Sequence, residues 1–173
     1  MALVLNGSGS ITGLSAGGLP DGSVTADDIA SLPAGSVIQV VSNTYETQVT
    51  NSTTTFADTG LSASITPSSA SSKILVIVSQ NGCGMSPSGG GIEINLDRSG
   101  VNLGSFSRIA GYASNYVFFG SVSGSILDEP NTTSTVAYKT QFRLFLASGV
   151  AYLQESNSGI AAVSTITLME IAA

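Results

Sequence analysis

The sequence predicts an all-β fold: an antiparallel, jelly-roll-like β-sandwich over residues 36–173, preceded by an extended Gly/Ser-rich arm over residues 1–35. Three observations lead there. Short runs of β-branched and aromatic residues recur from Ser36 onward, separated by Gly, Pro, Asn and Asp. No stretch carries the 3.6-residue apolar period of a long amphipathic helix. The first 35 residues are rich in Gly, Ser and Pro, have no aromatic residue, and space their apolar side chains almost singly, too sparsely to close a core.

Within the arm, Gly9-Ser10-Ile11, Gly22-Ser23-Val24 and Gly35-Ser36-Val37 recur every thirteen residues. Units that bury little alone gain a core by stacking on copies of themselves. In a threefold assembly, Ile11, Val24 and Val37 would approach a common axis. The alternative is a linker whose repeat is coincidental, as Gly120-Ser121-Val122 elsewhere in the chain allows. A short helix is expected over Thr25–Ser31, with Thr25 as N-cap and Asp27 and Asp28 in its first turn. The candidate contact residues of the arm are Leu3, Leu5, Ile11, Leu14, Leu19 and Val24.

Val37–Val41, Thr44–Thr50 and Thr53–Phe56 read as strands, the last ended by Asp58-Thr59-Gly60. Leu61–Thr66 follows and stops at Pro67, and Lys73–Val78 is the strongest strand of the chain. Ile92, Ile94 and Leu96 alternate with Glu93, Asn95 and Asp97, and Arg98-Ser99-Gly100 turns that strand into Val101–Leu103. Tyr116–Val122, Val136–Leu146, Val150–Leu153 and Val163–Ile171 bring the total to roughly eight to ten strands, as a sandwich requires. Ile74–Val78 and Val117–Phe119 are apolar on both parities, whereas a strand with one wet face alternates. Both need cover on two sides, from a loop, from the arm or from a neighbouring subunit. This makes Ile74, Val76, Val78, Val117 and Phe119 the candidate interface residues of the sandwich.

Composition narrows the function. Charged residues make up 9% of the chain, against about 25% in ordinary domains. Twenty-nine Ser and sixteen Thr take their place. Such a surface suits either a low-charge domain or a subunit whose surface is taken up in an assembly. Five Lys and Arg within a net charge of −6 form no basic cluster, which argues against nucleic acid and anionic membrane as partners. No window approaches the roughly 18 apolar residues of a membrane helix. Met1–Asn6 has no basic n-region and does not read as a signal peptide. The lone Cys83 allows neither an intrachain disulfide nor a zinc set, and reads as a buried or half-buried small hydrophobe in a chain assembled in a reducing cytoplasm.

Chemistry is sparse. With no His, Ser-His catalysis and His-containing zinc motifs are excluded. Lys73 and Lys139 lie in apparent strands without a Ser–Lys motif. Asp27 with Asp28, and Asp128 with Glu129, are adjacent pairs that point apart on a strand and converge only in a loop. Asp128-Glu129-Pro130-Asn131 reads as a turn, and no spaced ligand pattern there suggests calcium. Gly89-Gly90-Gly91 reads as a loop tip. No catalytic residue, cofactor or metal is therefore expected. Trp is absent, and Tyr45, Tyr112, Tyr116, Tyr138 and Tyr152 read as core or interface packing, with a glycan-binding platform as the alternative.

Two regions resemble known proteins. Met1-Ala2-Leu3-Val4-Leu5-Asn6-Gly7 with Ser10-Ile11-Thr12-Gly13-Leu14 resembles the start of many phage fibre-like proteins, especially of phages infecting cyanobacteria and marine bacteria. Gly18–Asp28 is similar to the linker that follows in them. Phe56–Leu61, Ile65–Pro67, Ser71–Val76 and Ser164–Ile171 resemble their β-sandwich module. The resemblance implies a virion structural protein, commonly a homotrimer. It would sit at the virion surface as capsid decoration, cement, or a short head or tail fibre, after assembly in the host cytoplasm. Its implied partners are other virion proteins, either the major capsid protein or the tail and baseplate. A glycan-binding adhesin of a tail fibre is the alternative, with a host-surface glycan as partner.

Overall fold

A computed structural model describes residues 32–86, 90–111, 120–145, 149–155 and 162–173. The chain divides into two compact units, Met1–Pro33 and Ala34–Ala173. The candidate arm residues Leu3, Leu5, Ile11, Leu14, Leu19 and Val24, the expected helix over Thr25–Ser31, and Val117 and Phe119 lie outside the described residues.

Ten strands build the second unit: β1 Val37–Tyr45, β2 Val49–Asn51, β3 Ala57–Ile65, β4 Lys73–Ser86, β5 Gly90–Arg98, β6 Val101–Gly111, β7 Gly120–Asp128, β8 Val136–Leu144, β9 Val150–Leu153 and β10 Ser164–Ile171. They form two antiparallel sheets packed face to face. One runs β3-β8-β5-β6. In the other, β4 has β10 on one side and β7 on the other, and β1 flanks β10. The short β9 pairs with the far end of β4, and β2 pairs with β9. Thus β2 continues the line of β1, and β9 the line of β10. Each sheet then has four strand lines, in the order of a jelly roll.

Alternation explains which face each strand buries. Leu61, Ala63 and Ile65 of β3, Ile92, Ile94 and Leu96 of β5, and Val136, Tyr138, Phe142 and Leu144 of β8 point inward from one sheet. Ile74, Val76 and Val78 of β4 and Ile166 and Leu168 of β10 meet them from the other. Each such side chain, fully buried, stabilises the fold by about 1.5–3 kcal/mol before entropy is counted. The expected interface residues Ile74, Val76 and Val78 are therefore core residues of their own chain. Covering them needs no second molecule, and the apolar part of the outer surface of β4 is made by Leu75 and Ile77.

Both sides of the sandwich close by the same device, an aromatic ring of one edge strand seated on a glycine of the facing edge strand. The Tyr45 ring of β1 lies on Gly60 of β3, and the Phe106 ring of β6 lies on Gly124 of β7; a Cβ on either glycine would overlap the ring. Gly60 also has φ +84, where the register between β3 and β8 slips. The sequence expectation that Asp58-Thr59-Gly60 ends a strand is thus corrected: these residues form a bulge inside β3. Gly90 and Gly91, expected at a loop tip, instead open β5, where they pair with Gly111 and Ala110 of β6.

The core has two apolar clusters, one around Leu61, Ile74, Leu96 and Leu168, the other around Ile94, Phe142, Leu144 and Leu153. A fully buried polar chain runs between the sheets. Thr59 accepts a hydrogen bond from the Leu61 N–H (3.1 Å) and shares one with the Thr140 hydroxyl. Thr140 donates to Gln80 Oε1 (3.0 Å), and Gln80 Nε2 donates to Ser164 Oγ (3.0 Å). Ser164 also accepts from the Asn81 N–H (2.9 Å) and from Gln154 Nε2 (3.2 Å). Removing one member strands its buried neighbours. Thr140→Val, which keeps the shape and deletes the hydroxyl, is expected to cost about 1–3 kcal/mol in urea unfolding. A variant as stable as the parent would show that the chain contributes nothing.

Candidate interaction surface

The outer faces of the two sheets differ in chemistry. On the β3-β8-β5-β6 sheet, charges are paired. Lys139 of β8 bonds Asp58 of β3 (2.9 Å), which also accepts from Gln141 (2.7 Å). Glu93 of β5 accepts from Ser105 (2.6 Å), Arg143 (2.7 Å) and Arg108 (3.3 Å). The Arg143 guanidinium lies 4.5 Å from the centre of the Phe56 ring. Burial raises the pKa of Glu93 and Asp58, but the hydrogen bonds and cations around each outweigh it and hold both below the usual carboxylate range. Long side chains of the flanking strands leave Glu93, Asn95 and Asp97 buried, although the sequence suggests a wet face for β5.

The β1-β10-β4-β7 sheet presents the opposite. Cross-strand register sets Val40, Met169, Leu75 and Leu127 side by side in one row across all four strands. Val40 is 55% exposed and Leu127 54%. The adjacent row is Ser42, Thr167, Ile77 and Ser125, with Ile77 39% exposed. The next row holds only hydroxyl side chains: Thr44, Thr165, Ser79 and Ser123. These three rows hold no charged residue, and at one end of the face Lys73 bonds Glu129 (2.8 Å). An apolar row spanning a whole sheet differs from scattered exposed hydrophobes.

All five cationic side chains of the chain are ion-paired. Besides the four already named, Arg98 grips both oxygens of Asp128 at 2.8 Å. The Tyr138 hydroxyl donates to the same carboxylate (2.7 Å). Burial and this carboxylate push the Tyr138 pKa up, so the hydroxyl stays a donor. Asp128 and Glu129 thus turn to different partners and do not converge. Beside them, Arg98, Ser99, Pro130 and Thr132 border an open hollow of about 220 Å³. Among the described residues, no three His, Cys, Asp or Glu side chains gather as a metal site. Burial pushes the Cys83 thiol up to about 12, which leaves it unreactive. Tyr45 and Tyr152 are half-buried and Tyr138 is core; Tyr112 and Tyr116 lie outside the described residues.

The sequence-expected residues Ile74, Val76 and Val78 have the inward parity of β4, and the outward row of Val40, Met169, Leu75 and Leu127 was not among the expected residues. A signal was present. Val40-Val41, Ile126-Leu127 and Leu168-Met169 are doubly apolar in the same way as Leu75-Val76.

The end of this sheet is fixed by a buried carboxylate. Glu170 of β10 accepts from Gln39 Nε2 of β1 (2.6 Å) and from both the N–H and the hydroxyl of Ser68 (2.7 Å each), while Gln39 also donates to Thr66 O (2.7 Å). The 66–72 connection is thereby tied to β1 and β10. Burial raises the pKa of Glu170, but these donors overcome it and bring the carboxyl to about 2.

No family model and no curated protein matches the chain. Among solved structures, it is similar to the insecticidal delta-endotoxin Cry8Ea1 from Bacillus thuringiensis, at 16% identity and TM-score 0.41 over 72% of this chain and 19% of the toxin. It is also similar to dimeric latent PorU from Porphyromonas gingivalis, at 10% identity and TM-score 0.37 over 83% of this chain and 14% of PorU. The chain therefore spans less than a fifth of either protein.

Because the Glu170 pKa is lowered on folding, its contribution is complete above the ordinary value of 4.5 and is lost as pH falls through about 2. Glu170→Gln is expected to lower stability at pH 7 by about 2–3 kcal/mol and to flatten the loss of stability between pH 4.5 and 2. Urea unfolding at pH 7, 4 and 3 reads both effects. Equal pH slopes in parent and variant would contradict the role given to this carboxylate.

Proposed function

We propose that this chain is a structural subunit of a bacteriophage particle: a homotrimer at the virion surface, anchored by its 1–35 arm, acting as capsid decoration or cement or as a short head or tail fibre. The observation that carries the reading is the apolar row on the outer face of the β1-β10-β4-β7 sheet, with no charge in it or in the two rows beside it, in a chain whose few cations are already paired. A subunit that lives alone keeps such a face charged; a subunit of an assembly covers it. The resemblance of the opening and body segments to phage fibre-like proteins supports the particle as the place. The jelly roll is compatible with that place and with many others.

The action is mechanical. Several arms per trimer would turn weak single contacts into firm attachment by raising the effective concentration of each arm near its site. No step of bond chemistry is assigned to the protein.

Light scattering on the purified full-length chain should give a mass near three times 17.4 kDa. A well-behaved monomer would overturn the assembly reading. Removing residues 2–33 should abolish co-sedimentation with phage capsids or tails while the β-type circular dichroism and melting temperature persist. Loss of folding on that deletion would refute the division of labour between arm and sandwich.

A further inference from the structure

We infer that the outer face of the β1-β10-β4-β7 sheet is where three copies of this chain meet, strands along the threefold axis, with Val40, Met169, Leu75 and Leu127 of each copy forming one apolar layer around it. The inference rests on the trimer reading above and names the surface which that reading leaves open.

Charge favours a second copy as the occupant. A chain of net charge −6 meets itself readily only where carboxylates are few or neutralised. The rows of this face from Val40 to Ser123 hold no acid, and Glu129 at the rim is bound to Lys73 of the same copy. The opposite outer face carries Asp58, Glu93, Lys139, Arg108 and Arg143, whose mutual bonds would have to be stripped of water on contact.

Geometry admits three copies. Strands lie about 4.8 Å apart, so four strand lines make a face about 19 Å wide. With the edge strands of neighbouring copies kept one strand spacing apart at each corner, three such faces form a triangle of side about 24 Å and stand about 7 Å from the axis. Side chains as long as Met169 and Leu75 reach toward the axis across that distance. Along the strands, the face spans about seven residues, or about 24 Å. Its area of about 450 Å² is a little over half of the about 800 Å² that each partner brings to a standard interface.

The rows fit this arrangement. Below the apolar layer, Ile77 stands among Ser42, Thr167 and Ser125, and the next layer is all Ser and Thr. Short hydroxyl side chains let the copies approach closely and bond across the axis. The central strands β10 and β4 put Met169 and Leu75 nearest the axis. The edge strands β1 and β7 put Val40 of one copy beside Leu127 of the next at each corner.

That corner supplies the test. Within one copy, Val40 and Leu127 lie three strand spacings apart, about 14 Å, too far for a disulfide. The full-length Val40→Cys, Leu127→Cys double variant, oxidised in air with copper phenanthroline, should give covalent dimer and trimer on a non-reducing gel, while each single variant should give no trimer. Covalent dimer without trimer would replace the prism by two stacked faces, and no product would remove this surface from the interface. Leu75→Glu, which faces outward and leaves the core intact, should reduce the light-scattering mass from trimer to monomer. A parent trimer that stays trimeric in Leu75→Glu would sink this inference while sparing the trimer reading. A monomeric parent would sink both. If Leu75→Glu lacks the parent's circular dichroism, Leu75→Ser takes its place, expected to weaken the trimer by at least tenfold in dissociation constant.

Discussion

The buried hydrogen-bond chain from Thr59 through Thr140 and Gln80 to Ser164 fixes how the two sheets face each other. Apolar packing alone is not directional, and two sheets of alternating Leu, Ile and Val tolerate small slides against one another. A polar chain in a dry core does not, because every slide strands a donor or an acceptor. The strand β4 is the natural carrier of this constraint. It pairs with β10, β7 and β9, and the inward parity that supplies Ile74, Val76 and Val78 continues to Gln80. Once Gln80 is placed, the bulge beyond it, where the register with β7 slips before Cys83, determines where β9 takes over from β10.

Fixing the inner faces fixes the outer ones, since the side-chain period of a strand is two. Every residue that the core claims from β1, β10, β4 and β7 sends its neighbour outward. The row of Val40, Met169, Leu75 and Leu127 is thus held in line by the ladders that build the core. The end of the row has a further support in Glu170, which ties β1 and the 66–72 connection to the end of β10. The edges are held by rings on glycines, Tyr45 on Gly60 and Phe106 on Gly124, so the sheet is anchored along both sides. The face is therefore presented by a rigid scaffold.

Much of this was legible in the sequence. The strands expected over Lys73–Val78, Ile92–Leu96, Val136–Leu146 and Val163–Ile171 overlap β4, β5, β8 and β10, and the expected turn at Ser99-Gly100 joins β5 to β6. The bulge at Gly60 was not legible as such, because Asp-Thr-Gly is a turn signal wherever it occurs, and only the partner ring of Tyr45 explains it. The polar chain was also missed, although parity exposes it: Thr59 shares the face of Leu61, Gln80 that of Val78, and Thr140 that of Phe142. The outward apolar row was half legible. Double apolarity in β4 is plain in the sequence, but which of its two faces belongs to the core depends on pairing with β10 and β7, and pairing is not local information.

The contrast between the two outer faces also bears on why the chain has so few charges. Its five cations all serve ion pairs, and none of these pairs lies within the apolar row. Exposed pairs such as Lys73–Glu129 and Lys139–Asp58 add about 0–1 kcal/mol each, so stability does not explain their placement. Placement by exclusion does. The paired charges sit on the β3-β8-β5-β6 face and at the ends, and none stands in the rows of the other face. A bare face on a lone molecule invites indiscriminate association, which charge ordinarily prevents. Here Ser and Thr border the apolar row along β1, β10, β4 and β7 and hold water until a matching surface displaces it. Specificity then comes from shape and from hydroxyl pairing, both of which a copy of the same sheet supplies.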